Sequence, residues 1–233
     1  MVTKVAIVGY GWVGRSVHKL FPQAVTYDII LPDSSRELVN GCDVAFVAVP
    51  TPCVNRGALD VSAVEEVVSW CGCPLIIVRS TVNPGTCDFL AQKYGRRIVM
   101  MPEYLGETVA HPMLDPAGRK FLVIGGAPAD RRAAIDLYAT AYNANVSIRQ
   151  VTAYEAEVIK LAENRAIAFK VAQCQELYDA CGSAGAPSST TMTSVWPSMC
   201  SRISCTVRLR NISLRLGIST LRSISHSSPI SPA

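Results

Sequence analysis

Apolar and polar positions along the first 150 residues alternate in blocks. Nearly continuous apolar runs fall at 4–8, 25–27, 43–49, 75–78, 97–100, 121–124 and 146–148. Runs of that length without a period-two pattern predict strands covered on both faces. Between them lie segments of helical character: 12–20, stopped by Pro22; 34–40, ended near Gly41; 61–70, capped by Asp60; a helix opened by Pro84-Gly85-Thr86 and running to about Tyr94; and 129–142. Strand and helix in turn, joined by short connections, predict an α/β fold built on a doubly wound parallel sheet. In such a sheet ligands lie outside the carboxyl ends of the strands.

Beyond residue 150 the pattern changes. Thr152-x-x-Glu155 has the spacing of a capping box and predicts one long helix from Ala153 to about Asp179, with Val158, Leu161, Ala168 and Val171 as its apolar stripe. That length exceeds what one sheet needs, so the helix is expected to bridge to a second domain or a partner subunit, as in a homodimer. Lys160 and Asn164 share one face of it, and spacing alone reads Lys160 as a surface salt link to Glu157. The chain thus divides into a domain at 1–150, a long helix at 151–182 and a tail at 183–233.

The first strand runs into Gly9-Tyr10-Gly11-Trp12-Val13-Gly14, a G-x-G-x-x-G sequence that opens the first helix. Three glycines so spaced permit a tight turn, a close approach of the backbone to a pyrophosphate, and contact of helix with strand, which makes the domain Rossmann-like. The second strand ends at Asp28, 19 residues after Gly9 and near the roughly 20 expected for the acid that takes ribose hydroxyls. An acid there favours NAD and repels the extra phosphate of NADP.

Composition sharpens two points. Hydrophobic residues make up 49% and charged residues 17%, which suits buried strands and excludes a disordered chain. The net charge of +4 is unevenly placed: residues 1–182 carry 17 Lys and Arg against 18 Asp and Glu, whereas residues 183–233 carry five Arg, 14 Ser and no Asp, Glu or Lys. Five arginines without interleaved aromatics do not predict nucleic-acid binding. The N-terminus shows no leader and no apolar run reaches membrane-spanning length, so a cytoplasmic protein with no membrane association is expected. Nine cysteines without an export signal read as thiols, and Cys71-Gly72-Cys73 lacks the second pair a metal site needs, so no metal is expected.

Several segments in order resemble the UDP-glucose/GDP-mannose dehydrogenase family. They are Gly9 to Gly14, Asp28, Asp43 through Val49-Pro50-Thr51-Pro52, Ser80-Thr81-Val82-Asn83-Pro84-Gly85-Thr86, Pro102-Glu103-Tyr104-Leu105-Gly106-Glu107, and Ala156 to Asn164. The resemblance covers about residues 1–182 and implies an NAD-dependent enzyme that oxidises a nucleotide sugar, UDP-glucose above all, from alcohol to acid in two hydride transfers. It implies Thr81, Glu103, Glu107, Lys160 and Asn164 as catalytic residues. Cofactor contacts are implied at Gly9, Gly11, Trp12, Val13, Gly14, Asp28, Val49, Pro50, Thr51, Ser80 and Thr81. The departures are Gly106, where the family often has a basic residue, and Thr108, where it often has glycine.

After Gly182 nothing resembles the family's G-G-x-C-x-x-K-D segment, which carries its nucleophilic cysteine. Cys200 and Cys205 lack those flanks. The abrupt change reads as an out-of-frame or replaced C-terminus; a natural Ser/Arg-rich segment that binds an anionic partner and an irregular cap over the long helix are the alternatives. Function then divides between a truncated dehydrogenase and an inactive NAD-binding module. A 6-phosphogluconate or hydroxyacid type dehydrogenase shares the glycine turn but not the Thr81 and Glu103 segments.

Overall fold

The computed structural model describes residues 3–54, 57–104, 118–142 and 146–183. Among the described residues the elements run β1 (Val5–Val8), α1 (Trp12–Leu20), β2 (Val25–Tyr27), α2 (Arg36–Asn40), β3 (Val44–Val47), α3 (Ser62–Trp70), β4 (Leu75–Val78), α4 (Thr86–Tyr94), β5 (Ile98–Met100), β6 (Phe121–Gly125), α5 (Pro128–Ala139), β7 (Ser147–Val151) and α6 (Ala153–Ser183). The strands form one sheet in the order β2-β1-β3-β4-β5-β6-β7. β1, β3 and β4 are buried along their whole length, as their unbroken apolar runs require.

Register creates the functional edge. Val8 pairs with both Tyr27 and Val47, Val47 with Val78, and Val78 with Met100. These five residues form one row across five parallel strands, so Gly9, Asp28, the segment after Val47, Arg79-Ser80 and the segment after Met100 all emerge along a single edge.

The sheet is not parallel throughout, which corrects the sequence expectation. β6 runs antiparallel to β5, with Met100 opposite Gly125, and β7 runs parallel to β6. The chain therefore enters β6 at the ligand edge, bringing Arg119 there. An apolar run reads the same in either direction, so the sequence pattern carried no sign of this reversal.

Two apolar layers hold the sheet. On one face Ala6, Ala45, Ile76 and Met100 pack under Val64 and Val68 of α3, Leu90 of α4, and Ala153 and Ala156 of α6. On the other, Ile7, Phe46 and Ile77 pack with Val17 of α1 and Tyr138 of α5, and the Phe46 ring sits 5.5 Å from Phe21 and 5.8 Å from Tyr138.

The capping box at the start of α6 forms as expected: Thr152 N–H donates to Glu155 Oε2 (2.8 Å) and Glu155 N–H to Thr152 Oγ1 (3.2 Å). The helix runs 31 residues, about 46 Å at 1.5 Å per residue. The expected stripe is not its packed face. Ala153, Ala156 and Glu157 are buried, whereas Val158 is exposed, as are Ile167, Phe169, Leu177 and Tyr178 farther along. α3 begins at Ser62, one residue later than expected, because Asp60 accepts the Ser62 N–H (2.9 Å) in a turn just ahead of it.

Candidate functional site

The glycine turn is sealed on two sides and open on the third. Gly9 has φ +92°, and a Cβ there would lie 2.4 Å from the Ala48 carbonyl oxygen. A Cβ on Gly14 would lie 2.0 Å from the Gly9 oxygen, so only glycine lets α1 start this close to β1. Gly11 differs: among the described residues a Cβ there would meet nothing within 4 Å. Gly11 is also the N-cap of α1, which has no side-chain cap and no acid in its first turn. The first amides of α1, at Trp12 and Val13, thus form an uncapped helix N-terminus beside open space, an arrangement that suits an anion.

Asp28 is tied to that turn. The Tyr10 N–H donates to Asp28 Oδ2 (2.6 Å) and the Ile30 N–H to Oδ1 (3.2 Å). The Tyr10 hydroxyl in turn lies 2.5 Å from His18 Nδ1 on α1. The loops after β3 and β4 are joined by side chains of the residues read as cofactor contacts. The Thr51 hydroxyl donates to the Thr81 carbonyl (2.6 Å) and the Ser80 hydroxyl to the Val49 carbonyl (2.7 Å). Asn83 clamps Leu59 from both sides, accepting its N–H (3.0 Å) and donating to its carbonyl (2.8 Å). Pro50, between Val49 and Thr51, is exposed.

Farther along the edge the site turns from backbone to buried charge. Glu103 is 5% exposed and forms ion pairs with Arg79, at the end of β4, and Arg119, just before β6. The Tyr104 N–H donates to Glu103 Oε1 (2.7 Å). Burial by itself would raise this carboxyl, but the two guanidiniums outweigh it and hold Glu103 at about 2. Lys160 Nζ sits 4.9 Å from the Tyr104 ring centroid and 3.9 Å from Glu163. Burial lowers the Lys160 ammonium from its ordinary value, and Glu163 and Glu103 partly oppose that. Asn164 is exposed on α6 one turn beyond Lys160. Glu107, with Gly106 and Thr108, lies outside the described residues, as do Cys200, Cys205 and the rest of 184–233.

The expected link between Glu157 and Lys160 does not form. Glu157 is fully buried, and its carboxylate accepts the Gly85 N–H (2.5 Å) and the Cys87 N–H (2.8 Å) at the start of α4. Lys160 turns to Glu163 instead. Sequence reading also missed Arg79, Arg119 and Asn83. Arg79 could have been found as a charge directly after a buried strand; Glu157 could have been found from its place beside Ala153 and Ala156.

Cys71 and Cys73 lie just before β4, at the opposite end of the sheet from the ligand edge. Both are buried, and the Cys73 thiol donates to the Val39 carbonyl (3.1 Å). Among the described residues no group of three or more His, Cys, Asp or Glu is placed to hold a metal ion. Among them, too, no helix is long and apolar enough to cross a membrane.

Comparison with known proteins bears on this edge. Residues 32–142 match the NAD binding domain of the UDP-glucose/GDP-mannose dehydrogenase family. The chain is 28% identical over 157 residues to UDP-glucose 6-dehydrogenase of Rickettsia typhi, covering 62% of this chain and 35% of that protein. It is 27% identical over 177 residues to UDP-glucose 6-dehydrogenase AglM of Haloferax volcanii, covering 66% and 40%. It therefore spans well under half the length of these curated relatives. Among solved structures, UDP-glucose dehydrogenase of Pyrobaculum islandicum superposes with a TM-score of 0.66 at 21% identity, over 85% of this chain and 57% of that one. GDP-mannose dehydrogenase of Pseudomonas aeruginosa gives 0.66 at 21%, over 81% and 55%. At that identity these structures speak for the fold. Over residues 32–142, just under half of its length, the chain is thus similar to the NAD binding domain of the UDP-glucose/GDP-mannose dehydrogenase family, a family of nucleotide-sugar dehydrogenases.

Proposed function

We propose that the chain binds NAD along the glycine-turn edge and serves oxidation of a nucleotide sugar of the UDP-glucose type. The glycine turn supports this most directly: Gly9 and Gly14 are closed against backbone, while Gly11 faces open space at the uncapped start of α1. In this reading Gly9, Gly11, Trp12, Val13 and Gly14 hold the pyrophosphate. Asp28 takes the ribose hydroxyls, and Val49, Pro50, Thr51, Ser80 and Thr81 flank the remainder. When bound, NAD supplies the acceptor for the hydride.

The chain's own residues would supply binding and charge stabilisation around it. Lys160 Nζ donates to the substrate oxygen as negative charge develops, and the Asn164 amide assists from the next turn of α6. Thr81 holds a water beside the reacting carbon, the role that the resemblance implies for it. Glu103 is a weak base at about 2, so its part at neutral pH is that of a fixed carboxylate between Arg79 and Arg119. The resemblance adds Glu107 to these catalytic residues. The exposed Ile167, Phe169, Leu177 and Tyr178 of α6 suit pairing with a second copy.

A second reading is an NAD-binding module without turnover. It is favoured by the sequence after Gly182, where the cysteine segment of the resemblance does not occur. One experiment separates the two: mix the full chain with NAD and UDP-glucose, and follow binding by calorimetry and NADH by absorbance. Binding with sustained NADH supports the dehydrogenase. Binding without NADH supports the module, and no binding overturns both.

A further inference from the structure

We propose that Glu157 is a positioning residue: it locks α6 onto the N-terminus of α4 and thereby sets where Lys160 stands relative to Thr81. This deepens the functional reading above and rests on its assignment of Lys160 and Thr81 to one site.

The need arises at α4. Its N-cap is Gly85, in the left-handed region at φ +88° and with no side chain to accept a hydrogen bond. The first amides of a helix require acceptors from elsewhere. The Thr86 N–H finds the Asn83 carbonyl (3.1 Å), while the Gly85 and Cys87 N–H groups find theirs some 70 residues on in the sequence, one on each oxygen of Glu157. One such bond would leave a pivot. Two, from amides fixed in the backbone, set both the height and the rotation of α6. The helix dipole favours the buried carboxylate there, opposing the burial that pushes its carboxyl up.

What is tied together is functional on both sides. On α6, Lys160 follows Glu157 by three residues, placed against Tyr104 and Glu163. On the other side is the loop from Ser80 to Gly85. Its Thr81 carbonyl receives Thr51, and its Asn83 grips Leu59. That loop is anchored independently, so loosening Glu157 displaces Lys160 while Thr81 stays.

The test uses the full chain with Glu157→Gln and a control, Thr152→Ala, which weakens the start of α6 without touching α4. Lysines are reductively methylated with carbon-13, and the Lys160 signal is identified by its loss in Lys160→Arg. Amide exchange is followed at Gly85 and Cys87. In Glu157→Gln, protection at these amides falls about tenfold or more, and Lys160 titrates higher, toward an ordinary lysine. Thr152→Ala leaves both unchanged. An unmoved Lys160 titration in Glu157→Gln, or an equal shift in Thr152→Ala, overturns the proposal. Should Glu157→Gln fail to fold, Glu157→Asp, one methylene shorter, is expected to shift Lys160 in the same direction, and no shift there counts against the proposal equally. NAD affinity measured in parallel tests the cofactor reading separately, since failure to bind leaves the Lys160 result intact.

Discussion

The two halves of the ligand edge are built by opposite means. Around Gly9 to Gly14 the work is done by backbone, with side chains removed so that a helix N-terminus stands open. Around Glu103 it is done by buried charge, with two guanidiniums closing on one carboxylate. The first half can receive an anionic ligand with little rearrangement. The second sets two buried guanidiniums against one buried carboxylate among the described residues, so it stabilises the fold only while every partner is present. The proposed function would use both designs, one for a cofactor and one beside a reacting group, and substitutions should tell them apart.

The largest effect is expected at the charged half. Glu103→Gln removes the carboxylate that pairs with buried Arg79 and Arg119 and should cost on the order of 3–5 kcal/mol, read as a lower denaturation midpoint. Gly9→Ala comes next. It forces an alanine into φ +92° against the Ala48 carbonyl and should cost about 2–4 kcal/mol, with loss of NAD binding.

Acid should break the charged half selectively. The folded value of Glu103, about 2, lies below its ordinary 4.5, so its ionised form favours the folded state. That contribution is complete above the ordinary value and is lost as pH falls from about 4.5 toward 2. Melting temperature measured over this window should drop in the wild type and fall less steeply in Glu103→Gln; equal slopes would show that another group governs the acid transition.

The smallest stability changes are expected at Thr152 and Gly11. Thr152→Ala removes one half of the capping box and should cost about 1 kcal/mol without altering NAD affinity. Gly11→Ala meets nothing within 4 Å among the described residues, so its stability should stay within about 0.5 kcal/mol of wild type while NAD affinity falls. That dissociation of binding from stability is the sharpest contrast with Gly9→Ala.

The difference between the halves also explains what the sequence disclosed. The strands were legible because Val5–Val8, Val44–Val47 and Leu75–Val78 are buried on both faces, and the glycine turn because its constraints are local in sequence. The capping box of Thr152 and Glu155 was legible for the same reason. Arg79 and Arg119 meet Glu103 from 24 and 16 positions away, and Glu157 reaches Cys87 across 70, so no local pattern records these partners. The reversal at β6 was hidden because apolar runs have no direction. The apolar residues along α6 were visible, but which of its faces packs depended on Ala153 and Ala156 fitting against β6.

The central claim is that the glycine turn and Asp28 together form an NAD seat. Calorimetric titration of the full chain with NAD, beside Asp28→Ala, tests it most directly. The account predicts saturable binding by the wild type and affinity weakened roughly ten- to a hundredfold in Asp28→Ala, the loss of hydrogen bonds to a charged group. No binding by the wild type, or equal affinity in the variant, would contradict it.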